Sequence, residues 1–271
     1  MNSFEKQYYE DESFWAGTID DNHNRERIKE TISLIPEDVT SLADIGCGNG
    51  VFLNQLKNLK PDLRLLGIDR SEAAIKYLTT EKKIGSINSI DLPSASFDCI
   101  SCLEVIEHLP FDIYEQSLDE LIRVTSKYLL ISVPNQEDLE ENINQCPHCK
   151  TIFNKDLHLR SFTREQLKSL FENKGLRLIK SKTLGERYSF FGHKWYTNLF
   201  YANSRYRPFT VSICPVCGFM PQILSDVSSN KILAPKLSIK KRILSTFSSA
   251  PKLIWPKKRS HYWLMALFAK E

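Results

Sequence analysis

Short runs of consecutive apolar residues alternate along this chain with segments whose apolar positions recur every three to four residues. SLADIG, LRLLGID, FDCISCLE, KYLLISVPN and HYWLMALFAK belong to the first kind and read as strands buried on both faces. IGSINSI and LRLIKSKTLGE read as a shorter third strand and a sixth. GVFLNQLKN, EAAIKYLTT, residues 113 to 126 and FTREQLKSLFENKG belong to the second kind and read as helices. An earlier helix covers residues 23 to 35, and Pro36 ends it. Ser71 and Thr163 are suited to N-caps, Gln166 follows Thr163 at capping-box spacing, and Gly175 closes the last helix. Strands alternating with helices predict a parallel sheet covered on both faces. Two stretches break the rhythm, residues 136 to 160 and 187 to 260.

Composition narrows the class. The chain has 271 residues, 42% hydrophobic and 25% charged, ordinary globular material. No apolar run approaches the roughly 20 residues that span a bilayer. The first residues, MNSFEKQYYEDESFW, are polar and acidic, so no signal peptide is expected and a cytoplasmic location is. The net charge of +3 is unevenly spread: residues 227 to 270 hold ten Lys or Arg and no acid. Within them, residues 235 to 247 fit a short basic helix with Ile239, Ile243 and Phe247 on one face. Such a segment suits a solvated insertion or, over residues 235 to 259, contact with a membrane surface or a lipid-linked substrate. Nucleic acid is a third partner, without a recognised RNA-binding motif to support it.

Three groups of residues carry chemistry. The first is the glycine turn after strand one, Asp44-Ile45-Gly46-Cys47-Gly48-Asn49-Gly50, with Asp69 following 19 residues after the last glycine. Alternate glycines let a ligand approach the backbone, and the downstream acid suits ribose hydroxyls. The spacing GxGxG departs from the GxGxxG of nicotinamide dinucleotide sites. The second group is Cys146, Cys149, Cys214 and Cys217, two CPxC turns in a chain for which no export signal is expected. Four thiolates of this kind match a closed, structural zinc site, with His148 left over. Cys99 and Cys102, at i and i+3 of a strand, point to opposite faces and form no metal pair. The third group is Glu104, Glu107 and His108, which share one face if LEVIEHL forms a helical turn.

LADIGCGNG, LLGIDRSEAAI, LPSASFDCISCLEVIEHL, LLISVPN and HLRSFTREQL together resemble class I S-adenosylmethionine-dependent methyltransferases with a methyltransferase-11/12-type core. The resemblance implies a Rossmann-like doubly wound seven-stranded sheet with the last strand antiparallel. It implies S-adenosylmethionine as cofactor, with the glycine turn under the methionine part, Asp44 near its amino group and Asp69 on the ribose. Arg70 adjoins Asp69; Asn88, Ser89 and Ile90 fall at the adenine; Cys102 and Leu103 lie beside the methionine portion. Small-RNA 2′-O-methyltransferases and some ubiquinone-pathway enzymes are similar around Glu104, Glu107, His108 and His158, where they hold a divalent cation. In other enzymes with this core, the equivalent of His158 is a general base or orients the acceptor, and His108 is a second catalytic candidate. Tyr8, Tyr9 and Trp15 fit either a lid or a cover for the core.

The expected organisation is an N-terminal helical cap (1–39) and a methyltransferase core (40–186 and 261–271). Insertions at 136–160 and 187–260 would form a zinc-braced substrate region. The expected reaction is O-methylation of a sugar or another small hydroxylated metabolite, lipid- or nucleotide-linked. RNA 2′-O-methylation is one alternative, and a non-catalytic module that keeps the fold is another.

Overall fold

A computed structural model describes residues 9, 10, 15, 22–139, 143–154, 156–190, 214–219 and 257–271. Tyr8 and the helix expected over residues 235 to 247 lie outside them. The chain divides into two compact units. The first comprises Met1–Leu139, Leu157–Gly185 and His261–Glu271; the second, Glu140–Asp156 and Glu186–Ser260.

The elements follow in chain order: α1 (Asn22–Ile32), β1 (Ser41–Ile45), α2 (Val51–Leu59), β2 (Arg64–Asp69), α3 (Glu72–Ile75) and β3 (Glu81–Ile84). After these come β4 (Phe97–Leu103), α4 (Tyr114–Val124), β5 (Thr125–Pro134), β6 (Ile143–Gln145) and β7 (Ile152–Asn154). The chain closes with α5 (Arg164–Glu172), β8 (Leu176–Phe190) and β9 (Lys257–Lys270). Seven strands form one sheet in the order β3-β2-β1-β4-β5-β9-β8. β1 to β5 pair in parallel, and β9 runs antiparallel to β5, from Tyr128↔Ala269 to Pro134↔Trp263. This is the Rossmann-like seven-stranded topology, with the last strand antiparallel, that the sequence resemblance implies.

Residues that alternate along each strand divide between two cores. Ala43, Ile45, Leu66, Ile68, Ile100, Cys102, Leu129, Ile131 and Phe268 face one side with Leu118, Leu121, Leu167 and Phe171 of α4 and α5. Leu42, Leu65, Cys99, Leu130, Met265 and Leu267 face the other with Ile28, Ile32, Phe52, Leu53 and Leu56 of α1 and α2. Cys99 and Cys102 therefore do point to opposite faces. Helix ends also follow the sequence. Ser71 Oγ accepts from Ala74 N at 3.0 Å. Thr163 and Gln166 form the reciprocal capping box, and Gly175 turns the chain at φ 83°.

The third strand departs from expectation. It covers Glu81–Ile84 and so takes only the first residue of IGSINSI, whose residues 86–89 fold into a turn held by a Ser86–Ser89 bridge. The helix before it stops at Ile75 rather than continuing through the TT pair. β3 is an edge strand, and its Glu-Lys-Lys run is mostly solvent-facing, so apolar content gives no sign of it.

Phe171 and Phe268 are both fully buried, with ring centroids 4.9 Å apart, and tie α5 to the antiparallel strand. Phe171→Ala should lower the free energy of unfolding by about 3–5 kcal/mol, read from urea titration. A loss under about 1 kcal/mol would mean that this contact does not hold α5 in place.

Candidate active site

The glycine turn leaves β1 with Gly46, Gly48 and Gly50 at φ 76°, 53° and 74°. A side chain at Gly46 would collide with Val105 at 2.6 Å, and one at Gly48 with Trp15 at 2.8 Å. Gly46 and Cys47 donate their N–H groups to Ile68 O, at 2.8 and 3.1 Å, which locks the turn to the end of β2. Asp69, where β2 ends, accepts from Gly48 N at 2.8 Å and from Ser71 N at 2.9 Å. Burial raises its carboxyl pKa, and these two bonds act against that rise. Asp44 is buried and accepts from Ser101 Oγ at 2.6 Å. Burial pushes its pKa up to about 7, with the charge of Asp69 adding to the rise and the Ser101 bond opposing it.

The other expected cofactor residues follow β2 and β3 or end β4. Arg70 lies 4.9 Å from the centre of the Tyr9 ring. Ser71 Oγ donates to Tyr9 O at 2.6 Å, and Asn49 Nδ2 to Trp15 O at 3.1 Å. Tyr9 and Trp15 thus lie over the turn. Asn88 accepts from Ser86 Oγ at 2.6 Å, Ser89 belongs to the same turn, and Ile90 N donates to Glu120 Oε2 at 2.7 Å. The Cys47 and Cys102 thiols are buried, which raises both pKa values. The Cys102 side chain faces the core, and Leu103 packs partly buried against the opposite core.

A second cluster follows the next strand ends. LEVIEHL is not the helical turn expected: Glu104 stands at φ 57° and the residues after it form a non-helical turn. Glu107, His108 and His158 come together with their ligand atoms within 4.8 Å of one another, and Glu104 is outside this group. Glu104 instead accepts from Ser132 Oγ at 2.5 Å and lies 3.9 Å from Arg27 Nη1. Glu107 is fully buried, and among the described residues neither of its oxygens has a hydrogen-bond partner. Burial raises its pKa, as does the charge of Glu104. Burial, with His158 nearby, pushes the imidazole of His108 down to about 3, so it is neutral. The His108 and His158 rings meet edge-on at 4.6 Å. Glu137, which no sequence motif marks, contacts His158 Nδ1 through Oε2. The signal for it was position: an acid three residues past the end of a central parallel strand lies where this fold binds ligands.

In the second unit the two CPxC turns have the same backbone. Lys150 N donates to Cys146 O at 3.0 Å and Gly218 N to Cys214 O at 3.0 Å. Cys146 N donates to Thr151 O and Cys214 N to Phe219 O. Lys150 and Gly218 both have positive φ, 64° and 69°. The four sulfurs lie within 4.8 Å of one another, with Cys146–Cys217 and Cys149–Cys214 at 3.5 Å. Tetrahedral zinc at about 2.3 Å from each sulfur sets them roughly 3.8 Å apart, so the donor set fits. His148 stacks on Phe219 instead of joining it.

A family model described as a methyltransferase domain matches residues 21–181, more than half of the chain. It is a class I S-adenosylmethionine-dependent methyltransferase. Solved structures share the fold. An S-adenosylmethionine-dependent methyltransferase of Thermotoga maritima is 17% identical, with a TM-score of 0.53, covering 99% of each chain. One from Archaeoglobus fulgidus is 16% identical, with a TM-score of 0.50, covering 98% of each. Magnesium protoporphyrin IX methyltransferase of Synechocystis, solved with bound S-adenosylhomocysteine, is 12% identical, with a TM-score of 0.51, over 67% of this chain and 92% of that one. No curated protein sequence matches the chain. In this methyltransferase the glycine turn, the buried Asp44, the half-buried Asp69 and the position at the strand ends fit the cofactor.

Asp44 gives a test of the site's electrostatics. Its pKa in the folded protein, about 7, lies above the ordinary 3.8, so the folded state holds the proton more tightly. The stability this contributes is fully present below pH 4 and is lost as pH rises through 7. Asp44→Asn still accepts from Ser101 and carries no such penalty. Chemical unfolding should find the variant more stable than wild type at pH 8 by a few kcal/mol, and the two nearly equal at pH 4. A difference that does not change with pH would contradict the assigned shift.

Proposed function

We propose that this methyltransferase transfers the methyl group to a hydroxyl of a sugar or another small hydroxylated metabolite. The observation that carries the reading is His158, a buried imidazole held beside the glycine turn's neighbour loop, where Val105 packs on Gly46 and Leu159 N bonds Glu107 O at 2.9 Å. S-adenosylmethionine supplies a methyl already activated by its sulfonium charge. The protein aligns the acceptor with it, and His158 takes the hydroxyl proton. Asp44 faces the amino group and Asp69 the ribose hydroxyls. The ten basic residues without an acid in residues 227 to 270 support an acceptor linked to a phosphate, on a nucleotide or a lipid.

Methyl transfer from labelled S-adenosylmethionine, run over nucleotide sugars, lipid-linked sugars, catechols and RNA oligonucleotides, tests the acceptor class. Activity confined to RNA would refute it. His158→Ala should lower turnover by about 10²-fold or more while calorimetry finds unchanged affinity for S-adenosylhomocysteine. Equal turnover would remove His158 from proton transfer.

One observation favours a second reading. Glu107 is fully buried beside two imidazoles, with both oxygens unpartnered among the described residues, an arrangement that a divalent cation would satisfy. Such a cation would lower the pKa of an acceptor hydroxyl, as 2′-O-methylation of RNA would require. Activity lost with a chelator and restored by magnesium or manganese, but not by zinc, would establish the cation, and activity on RNA oligonucleotides in preference to small hydroxylated acceptors would select this reading over the first.

The four cysteines are assigned a structural zinc, since a closed thiolate set leaves no open position for chemistry. Protein purified without chelator should contain about one zinc per chain by elemental analysis, and Cys146→Ser should lose it. Zinc-free, fully folded wild-type protein would refute the assignment.

A further inference from the structure

We infer that Glu137 is a positioning residue that fixes the tautomer of His158 and so makes its Nε2 the proton acceptor. The inference rests on the proposed role of His158 and adds to it a residue outside every motif. Glu137 and His158 are 5% and 8% exposed, so water does not compete for the contact between Oε2 and Nδ1. An ionised carboxylate can only accept, so Nδ1 carries the hydrogen and Nε2 keeps its lone pair.

The backbone around both residues is built to hold this pair. Glu137 follows Gln136, at φ 51°, and His158 follows Leu157, at φ 59°. Among the described residues only five non-glycines have positive φ, and these two each precede one member of the pair. Each such conformation costs roughly 1–2 kcal/mol and persists only where its surroundings enforce it. The enforcing bonds are present. Asn135 N donates to Tyr262 O at 2.7 Å, Asn135 Nδ2 to His261 O at 3.1 Å, and Gln136 N to Phe162 O at 2.8 Å. On the other side, Leu159 N donates to Glu107 O at 2.9 Å. Gln136 and Leu157 thus aim the next side chain inward from two separate segments.

In the reaction the acceptor's O–H bond breaks as its O–C bond forms. The proton goes to Nε2, and the electron pair of the C–S bond goes to sulfur. Nδ1–H stays on Glu137 throughout, and the carboxylate offsets the imidazolium charge that develops. Without it, a neutral imidazole could rotate or present Nε2–H, which cannot accept a proton.

The test is long-range ¹H–¹⁵N correlation on histidine-labelled full-length protein loaded with S-adenosylhomocysteine, which reads the His158 tautomer directly. Wild type should show Nδ1–H. Glu137→Gln, whose amide oxygen still accepts, should keep that tautomer but lose turnover about tenfold, because the charge is gone. Glu137→Leu should lose the tautomer and about 10²-fold in kcat. Both should bind S-adenosylhomocysteine within twofold of wild type. An Nε2–H imidazole in wild type overturns the inference without any variant having to fold. So does unchanged kcat in Glu137→Leu on the acceptor that wild type methylates. Failure of the underlying reading shows separately, as unchanged turnover in His158→Ala.

Discussion

β1, β4 and β5 each leave the sheet through a left-handed backbone: Gly46 directly after β1, Glu104 directly after β4, and Gln136 two residues past β5. These three strands are adjacent and parallel, so the turns fall along one edge. A left-handed exit reverses the chain sharply enough to keep the following side chains over that edge. At β1 the residue is glycine because Val105 of the β4 turn already fills the space a Cβ would take. The cofactor turn and the loop carrying Glu107 and His108 are therefore interlocked. At β4 and β5 the exits are strained side-chain-bearing residues: Glu104 is held by hydrogen bonds with Ser132 of β5, and the exit at Gln136 by bonds to β9 and to the segment before α5. The glycine turn and the cluster of Glu107, His108 and His158 are two products of this one constraint.

The same edge concentrates buried acid. Asp44 accepts from a hydroxyl, Asp69 from backbone N–H groups and Glu137 meets an imidazole, while Glu107 has no hydrogen-bond partner among the described residues. Each would be more comfortable in water, and the two hydrophobic cores below must offset that. Strain and unsatisfied polarity at a site, balanced by close packing elsewhere, is the usual division between function and stability.

Most of the framework was legible in the sequence because its signals are local. Continuous apolar runs marked strands buried on both faces, and Ser71, Thr163 with Gln166, and Gly175 marked helix ends where the structure places them. β3 was misplaced because an edge strand of Glu and Lys carries no apolar run. The cysteine set was legible from spacing alone, although Lys150 adopts the conformation that glycine provides at Gly218. The acceptor side was less so. LEVIEHL read as a helix would have grouped Glu104 with Glu107 and His108, and the left-handed Glu104 breaks that geometry. Glu137 lay in a stretch without periodicity, and only the fold brings it to His158.

The position of β9 has a kinetic side. It is last in sequence yet lies between β5 and β8, with Tyr128 paired to Ala269. Until it arrives, β5 presents an open row of backbone donors and acceptors flanked by Leu129, Leu130 and Ile131, all buried in the finished sheet. Closing so long a separation is slow compared with forming the β1–β4 neighbourhood. A chain halted at that stage holds a sticky edge in its middle, where another copy's strand would fit as well as its own. The strand that completes the sheet therefore also acts as its guard against self-association during folding.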